Sequence, residues 1–519
     1  LGIAALAVAS LLLAEDRTRS LAFNTLKLVA GTLAISLPLG ALLGILIVRT
    51  DLPLRRVAAA AIGLLLIVPL YLQAGAWQSG FGPYGWYTLA FGGGDDPWLW
   101  KWRGTIFVHA MAALPWVALF VGLAARQVEP ELEEAALLDA PAWRVFCYVT
   151  LRRIWPAIGL ASLWVALLVA TDMTVTDLYQ VRTYAEEVYV DFAAPTDIHA
   201  APLGPWVGAL VVGAFTAGAI MLCAGAAQYS ARLLPRKPVV FALGKWRWPA
   251  AAITACVLFI LLGVPMVNLV YKAGVIAQPT EAGVARFWST GKCLHIVAAS
   301  PMRYKKQFGL SLLIAAGAAT IALAGSVPLA WFAKRGGLPA APAVLIGAAS
   351  LAIPAPLLGI GLIHLFNDSS LPLAWLYDTI AAPIIGQAIR ALPLAIFISW
   401  LAFRSIPRDQ FEAAALDGAG ACARFFRVAL PQRRPALAAA WLTAFLVAFN
   451  ELPTTLLLQP PGTMTLPVQI YQLMHGTGED LLAGIVLFLL VAYTITGAIA
   501  LAVLSLAGAS QRSFRARQR

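Results

Sequence analysis

FEAAALDGAGACARFFRVALPQRRPAL, residues 411–437, lies between two stretches apolar enough to cross a bilayer. It concentrates Glu412, Asp417, Arg424, Arg427, Arg433 and Arg434 in a chain where only 12% of residues are charged. Pro407, just upstream, suits a first helical position. Asp409 and Glu412 then fall in or near the first turn, where acids complement the positive end of the helix dipole. Ala413-Ala414-Ala415-Leu416 is a strong helix-forming run, and Gly418 fits a left-handed C-terminal cap. Ala421 to Val428 reads as a second short helix, with Phe425 and Phe426 able to anchor it at the membrane interface, and Leu430-Pro431 closes it. The stretch is thus a helix, a glycine turn and a second helix, outside the bilayer but tied to two spans. Such a piece is a handle that a partner can grip and move.

The surrounding composition supports this setting. Of 519 residues 61% are hydrophobic, and the mean hydropathy is +0.80. A soluble domain is nearer a quarter charged, so the chain reads as an all-α polytopic membrane protein. Spanning stretches of roughly 20 apolar residues fall near 22–48, 55–76, 104–125, 154–171, 203–228, 248–271, 308–333, 340–366, 379–403, 436–458 and 481–508. The opening run LGIAALAVASLLLA reads as a clipped first helix, which makes about twelve. Basic residues collect in alternate loops: Arg49, Arg55 and Arg56; Arg126, Arg144, Arg152 and Arg153; the 229–247 segment; Lys334 and Arg335; Arg404 to Arg434; and the C-terminal arginines. The positive-inside rule places these loops and both termini in the cytoplasm. The net charge of +12 is therefore read as loop charge and not as a nucleic-acid footprint. The Trp-rich loop 77–103 falls outside, as an aromatic belt.

The handle has an earlier copy, EEAALLDAPAWRVFCYVTLRRIWPAI, at 133–158. Glu134-Ala135-Ala136 recurs as Glu412-Ala413-Ala414, 278 residues on, and Ala113-Leu114-Pro115 recurs as Ala391-Leu392-Pro393 at the same offset. Val149, Leu151 and Asp172 match Val428, Leu430 and Glu451 at 279. Ser36-Leu37-Pro38-Leu39 and Leu52-Pro53 recur as Ser326-Val327-Pro328-Leu329 and Leu338-Pro339. Two parallel six-helix repeats follow: 1–228, a basic, proline-punctuated linker at 229–247, and 248–519.

Glu-Ala-Ala, then Gly four residues after the second Ala, then Leu-Pro about a dozen later resembles the coupling loop of binding-protein-dependent ABC transporter permeases. Glu412, Ala413, Ala414, Gly418, Leu430 and Pro431 fit it. In the first copy Glu134, Ala135 and Ala136 match, but Asp139 or Ala140 stands where Gly is expected and Arg152 where Pro is expected. The segments 171–192 and 450–474 and the tandem fusion resemble the two-repeat permeases of the ferric-iron uptake type and their thiamine-type relatives. The resemblance implies docking of each loop on one of two copies of a cytoplasmic ABC ATPase. It also implies a periplasmic solute-binding protein and a multi-pass place in the cell inner membrane. ATP would be bound and hydrolysed on the partner, with no cofactor on this chain. The implied cargo is ferric iron, with thiamine, phosphonate or another small solute as alternatives.

Single residues carry two readings each. Asp172 and Glu451 either line the translocation path, as intramembrane acids often do, or cap the helix or turn that follows. Arg390 has only Ala112 at the matched position and either pairs with an acid or snorkels. Pro115 and Pro393 are expected to kink their helices. The histidines His109, His199, His295, His364 and His475 show no metal-ligand spacing and read as structural. The five cysteines are scattered and read as small buried hydrophobes. No G-x-x-x-x-G-K-[ST] is present; the nearest run, Ser289 to Cys293, lacks the first Gly and the hydroxyl. An intramembrane enzyme would need clustered catalytic groups, which the chain lacks. A twelve-helix secondary transporter explains the repeat but not the matched charged loops.

Overall fold

The computed structural model describes residues 16–91, 97–193, 212–213, 216–218, 238–280, 283–368, 370–476 and 478–517. Its principal helices are α1 (Asp16–Arg49), α2 (Arg55–Ile67), α3 (Leu70–Phe81), α4 (Lys101–Gln127), α5 (Pro130–Asp139), α6 (Ala142–Ala170), α7 (Thr174–Leu178) and α8 (Tyr184–Ala193). After the joining segment come α9 (Gly244–Gly274), the antiparallel hairpin β1 (Val275–Thr280) and β2 (Gly283–Trp288), and α10 (Thr290–Arg303). The rest comprises α11 (Lys305–Ala333), α12 (Ala341–Ala352), α13 (Ala355–Phe366), α14 (Ala381–Arg404), α15 (Arg408–Leu416), α16 (Arg434–Phe449), α17 (Pro453–Leu458), α18 (Leu466–His475) and α19 (Glu479–Arg517). The hairpin is an addition to the expected all-helical plan.

Among the described residues seven helices are long and apolar enough to cross a membrane, and nine spans result if each of two bent pairs counts as one. The expected first run lies outside the described residues, as does nearly all of the span near 203–228. Three expected spans are not straight. The stretch 55–76 bends by 102° between α2 and α3, and 340–366 bends by 106° between α12 and α13. Each break falls on an apolar residue followed by proline: Val68-Pro69 and Ile353-Pro354. Proline disfavours the α region for the residue before it, and Val68 (φ −74°, ψ 118°) and Ile353 (φ −75°, ψ 119°) are both extended. The third, 436–458, stops at Phe449 and resumes as α17 at Pro453. Pro115 and Pro393, by contrast, lie inside α4 and α14 without interrupting either helix.

The chain divides into two compact units, each assembled from three segments. Unit A takes residues up to Gly31, Ser162–Arg236 and Lys306–Gln469; unit B takes Thr32–Ala161, Lys237–Lys305 and the stretch from Ile470 onward. Both draw on sequence from either side of the 229–247 segment.

In unit A the core is built on alanine. Ala319 and Ala322 of α11, Ala391 and Ala395 of α14 and Ala444 of α16 pack together, with Trp441 and Phe445 against them. In lipid no hydrophobic force drives helices together, so small residues that permit close approach do the work. Val188 of α8 packs on Leu357 of α13. In unit B the same rule joins α1 to α4: a Cβ on Gly40 would stand 2.6 Å from the Val117 Cβ, and one on Gly44 2.6 Å from the Ala118 carbonyl oxygen. Elsewhere in unit B buried Lys272 pairs with Glu479 and donates to the Tyr84 carbonyl at 2.6 Å. Trp86 Nε1 donates to Asn268 at 3.0 Å. In the 77–103 loop Trp77 is buried edge-on to Phe107, while Trp98 is exposed.

Candidate coupling loops and path residues

The second loop belongs to unit A. Its first helix, α15, starts at Arg408, so Pro407 is the residue before the helix and not its first position. Gly418 has φ +80°, a left-handed conformation that costs glycine little. Around it Ala419 N donates to the Ala414 carbonyl (2.9 Å) and Gly418 N to the Ala415 carbonyl (3.0 Å), closing the helix end. The following helical stretch Ala421–Ala423 passes through a π-helical turn, Arg424–Ala429, and runs over Pro431 to Gln432, where it breaks. Leu430-Pro431 therefore lies within the last turn of this helix, which ends one residue later at Gln432.

The anchor of this loop points inward. Phe425 meets Trp331 and Phe403, and Phe411 meets Trp331, over buried Ala330, Ile406 and Ala429. The Lys334 ammonium lies 3.5 Å from the Phe411 ring centroid and 4.2 Å from that of Trp331. Burial, then the charges of Arg335 and Arg424, bring Lys334 down to about 8. Only Phe426 faces outward. Arg433 donates to the Ser405 carbonyl at 2.9 Å.

The first loop belongs to unit B. Its helix α5 ends in Ala140, which is extended (φ −143°, ψ 149°), and Pro141 follows. With no glycine there is no left-handed cap; the turn is tighter and α6 begins at Ala142. A π-helical turn, Phe146–Thr150, stands at the place of the one in the second loop. Glu134 and Asp139 are exposed, as are Glu412 and Gly418. The neighbouring Glu133 is fully buried in an ion pair with fully buried Arg49. Phe411 occupies the position matching Glu133. A cation thus meets the first helix of each loop, through an ion pair in one and an aromatic face in the other.

The exposure of two leucines escaped the sequence reading. Leu138 is 87% exposed and Leu416, exactly 278 positions later, is 90% exposed. A large apolar side chain is thus exposed at the matched position of both loops. The constant offset was the signal that could have found them.

Asp172, Glu451 and Arg390 all lie in unit A. Asp172 Oδ2 accepts from Val175 N at 3.0 Å and Glu451 Oε1 accepts from Thr454 N at 3.0 Å, each three residues on. Thr455 Oγ1 donates to the Glu451 carbonyl at 3.1 Å, whereas Thr176 Oγ1 donates chiefly to the Met173 carbonyl at 2.9 Å. The duplication therefore extends to individual hydrogen bonds: both acids cap the short helix that follows them. Gln387 Nε2 donates to Thr455 Oγ1 at 2.9 Å. Arg390 uses its guanidinium on backbone, donating to the Ser350 (3.0 Å) and Ile353 (3.1 Å) carbonyls at the end of α12. These carbonyls lose their helical partners at the break. The corresponding break in unit B is served by Gln73, whose Nε2 donates to the Val68 carbonyl at 2.9 Å.

His109 and His475 bond the carbonyls of Thr105 and Tyr471, four residues back. The cysteines depart from expectation: Cys147, Cys256 and Cys422 are exposed and Cys293 alone is buried among those described. They lie on outward helix faces, which apolar composition alone does not distinguish from inward ones.

The profile of the family described as "Binding-protein-dependent transport system inner membrane component" matches residues 309–514, which include the second loop, Arg390 and Glu451. Over 173 residues the chain is 32% identical to "Putative ABC transporter permease protein ORF1" of Streptomyces antibioticus, covering 32% of this chain and 72% of that protein. It is 41% identical over 76 residues to the diacetylchitobiose uptake system permease protein NgcG of Streptomyces coelicolor, 15% of this chain and 25% of the relative. It is 36% identical over 128 residues to the trehalose transport system permease protein SugB of Mycobacterium tuberculosis, 24% and 46% respectively. The matches thus span from a quarter to nearly three quarters of the relatives' own length. None of these three names iron.

Proposed function

Because the chain belongs to the family of binding-protein-dependent transport system inner membrane components, we propose that it is the membrane-spanning subunit of an ATP-driven importer. The observation that carries this reading is the duplicated loop: a short helix with an exposed Glu-Ala-Ala face and an exposed leucine, a tight turn, and a π-helical entry into the next span. Each loop seats on one copy of a cytoplasmic ATPase. Closure of the ATPases on ATP draws the loops and the spans attached to them, and the path opens alternately to either side. A solute-binding protein on the outer side delivers the cargo.

The cargo we propose is a saccharide, in place of the ferric iron that the tandem arrangement implied. Two of the relatives are named for diacetylchitobiose and trehalose. Asp172 and Glu451, each at the end of a span, offer carboxylate acceptors for sugar hydroxyls. Arg390 serves the path indirectly, by holding the bent α12–α13 pair.

Capture of a candidate ATPase by the detergent-solubilised chain tests the assignment. Wild type retains the ATPase, Glu412→Lys loses it, and Glu134→Lys weakens it. A wild-type chain that captures no ATPase sinks the reading. Uptake of labelled disaccharide against ferric iron in vesicles carrying the complete complex then decides the cargo.

A further inference from the structure

Residues of the segment joining the two repeats lie against the end of α1. Phe241 N donates to the Arg49 carbonyl at 2.8 Å. Leu243 N donates to Asp51 Oδ1 at 2.9 Å, and Arg247 Nε stands 3.9 Å from the same carboxylate. The Phe241 ring meets Phe146 of the first loop edge-on, with centroids 5.9 Å apart. The Arg49 guanidinium also lies over this ring, 5.3 Å from its centroid. Arg49 also donates to the Ala125 carbonyl at 3.1 Å and pairs with Glu133, whose second oxygen accepts from Thr150 Oγ1 at 2.5 Å. One arginine therefore ties together α1, the end of α4, the first helix of the loop and the joining segment. All of these residues belong to unit B.

The chemistry makes this tie specific to one arrangement. A buried charge is tolerated only when paired and hydrogen-bonded. The loop cannot leave without stranding either Arg49 or Glu133. The second loop is held differently, by Lys334 against ring faces, by Arg433 on the Ser405 carbonyl and by Gln432 on Gln410.

We propose that Phe241 and the Arg49–Glu133 pair form a strap through which the joining segment holds the first loop in its docking position. They are positioning residues for an ATPase that they do not touch. The proposal rests on the importer reading for its purpose, but the strap itself is measurable without a partner.

Hydrogen–deuterium exchange on the solubilised full chain is the first arm. In Phe241→Ala and in Glu133→Gln, amides of 130–150 should exchange at least tenfold faster while those of 408–429 stay unchanged. Phe241→Tyr should restore protection. Unchanged exchange at 130–150, or an equal rise in both loops, overturns the strap. ATPase capture is the second arm, with Phe241→Ala chosen because it leaves the buried charges paired. Weakened capture, similar to that of Glu134→Lys, supports the positioning role. Wild-type capture by Phe241→Ala alongside loss in Glu134→Lys overturns that role while leaving the importer reading intact. Capture undisturbed by Glu134→Lys and Glu412→Lys together overturns the loops as docking face and with it the positioning role, while absence of capture by wild type overturns the importer reading; exchange still decides the strap.

Discussion

One guanidinium holds the bend between α12 and α13. Proline at 354 removes a donor and the break frees carbonyls inside an apolar environment, where each unmet group is costly. Arg390 answers two of them. Arg390→Met should therefore lower stability by about 2–3 kcal/mol, the range for bonds to a charged donor. Gln73→Ala, which removes one neutral bond, should cost only about 1 kcal/mol. Thermal unfolding in detergent separates the two; equal losses would mean the charge contributes nothing beyond its bonds. Glu186 gives a second prediction at this scale. Burial, reinforced by Glu187 and Asp177, raises its carboxyl to about 7. The folded state then holds a proton that the unfolded state has released, so stability falls as pH rises from about 4.5 to 7. Glu186→Gln should flatten that slope, read from unfolding midpoints across the range.

The loops are elements whose ends are set by backbone chemistry. Gly418 is left-handed, so Gly418→Ala should destabilise the second loop by roughly 1 kcal/mol. Ala140→Gly should give the first loop no benefit, since Ala140 is extended. Exchange protection in α15 and α5 reads both outcomes. The exposed leucines belong to this scale as well. Leu416→Asp should reduce ATPase affinity tenfold or more, as expected of a buried apolar anchor at an interface, with Leu138→Asp a smaller loss. Titration of the solubilised chain with the ATPase measures this. Affinity unaffected by either change would remove the leucines from the docking face. Of the loop, the helix, its glycine cap and the position of its acids were legible, because they follow from local propensity. The inward turn of Phe425 and the buried partner of Glu133 were not. Both depend on α11, α14 and α1, which are distant in sequence.

At the scale of the whole molecule, packing does not follow the order of the chain. Each compact unit takes segments from both sides of the 229–247 segment. Val188 needs Leu357, and Lys272 needs Tyr84. Fragments 1–237 and 238–519 should therefore each be unstable when expressed alone, and should copurify and regain protection when expressed together. Independent folding of either fragment would show that these ties are dispensable.

Composition determined that the chain is a helical membrane protein, because a bilayer admits few other solutions for so apolar a sequence. The repeat offset carries the proposed duplication, and the Glu-Ala-Ala motif marked both loops. These are local or periodic signals, carried by neighbouring residues. Tertiary structure alone decided how the duplicated pieces are served. It set Arg390 at the bend between α12 and α13, and an ion pair under one loop and an aromatic face under the other. Such choices rest on which distant side chain reaches a freed carbonyl or a buried charge. The sequence states the need, and only the packing of remote helices supplies the partner.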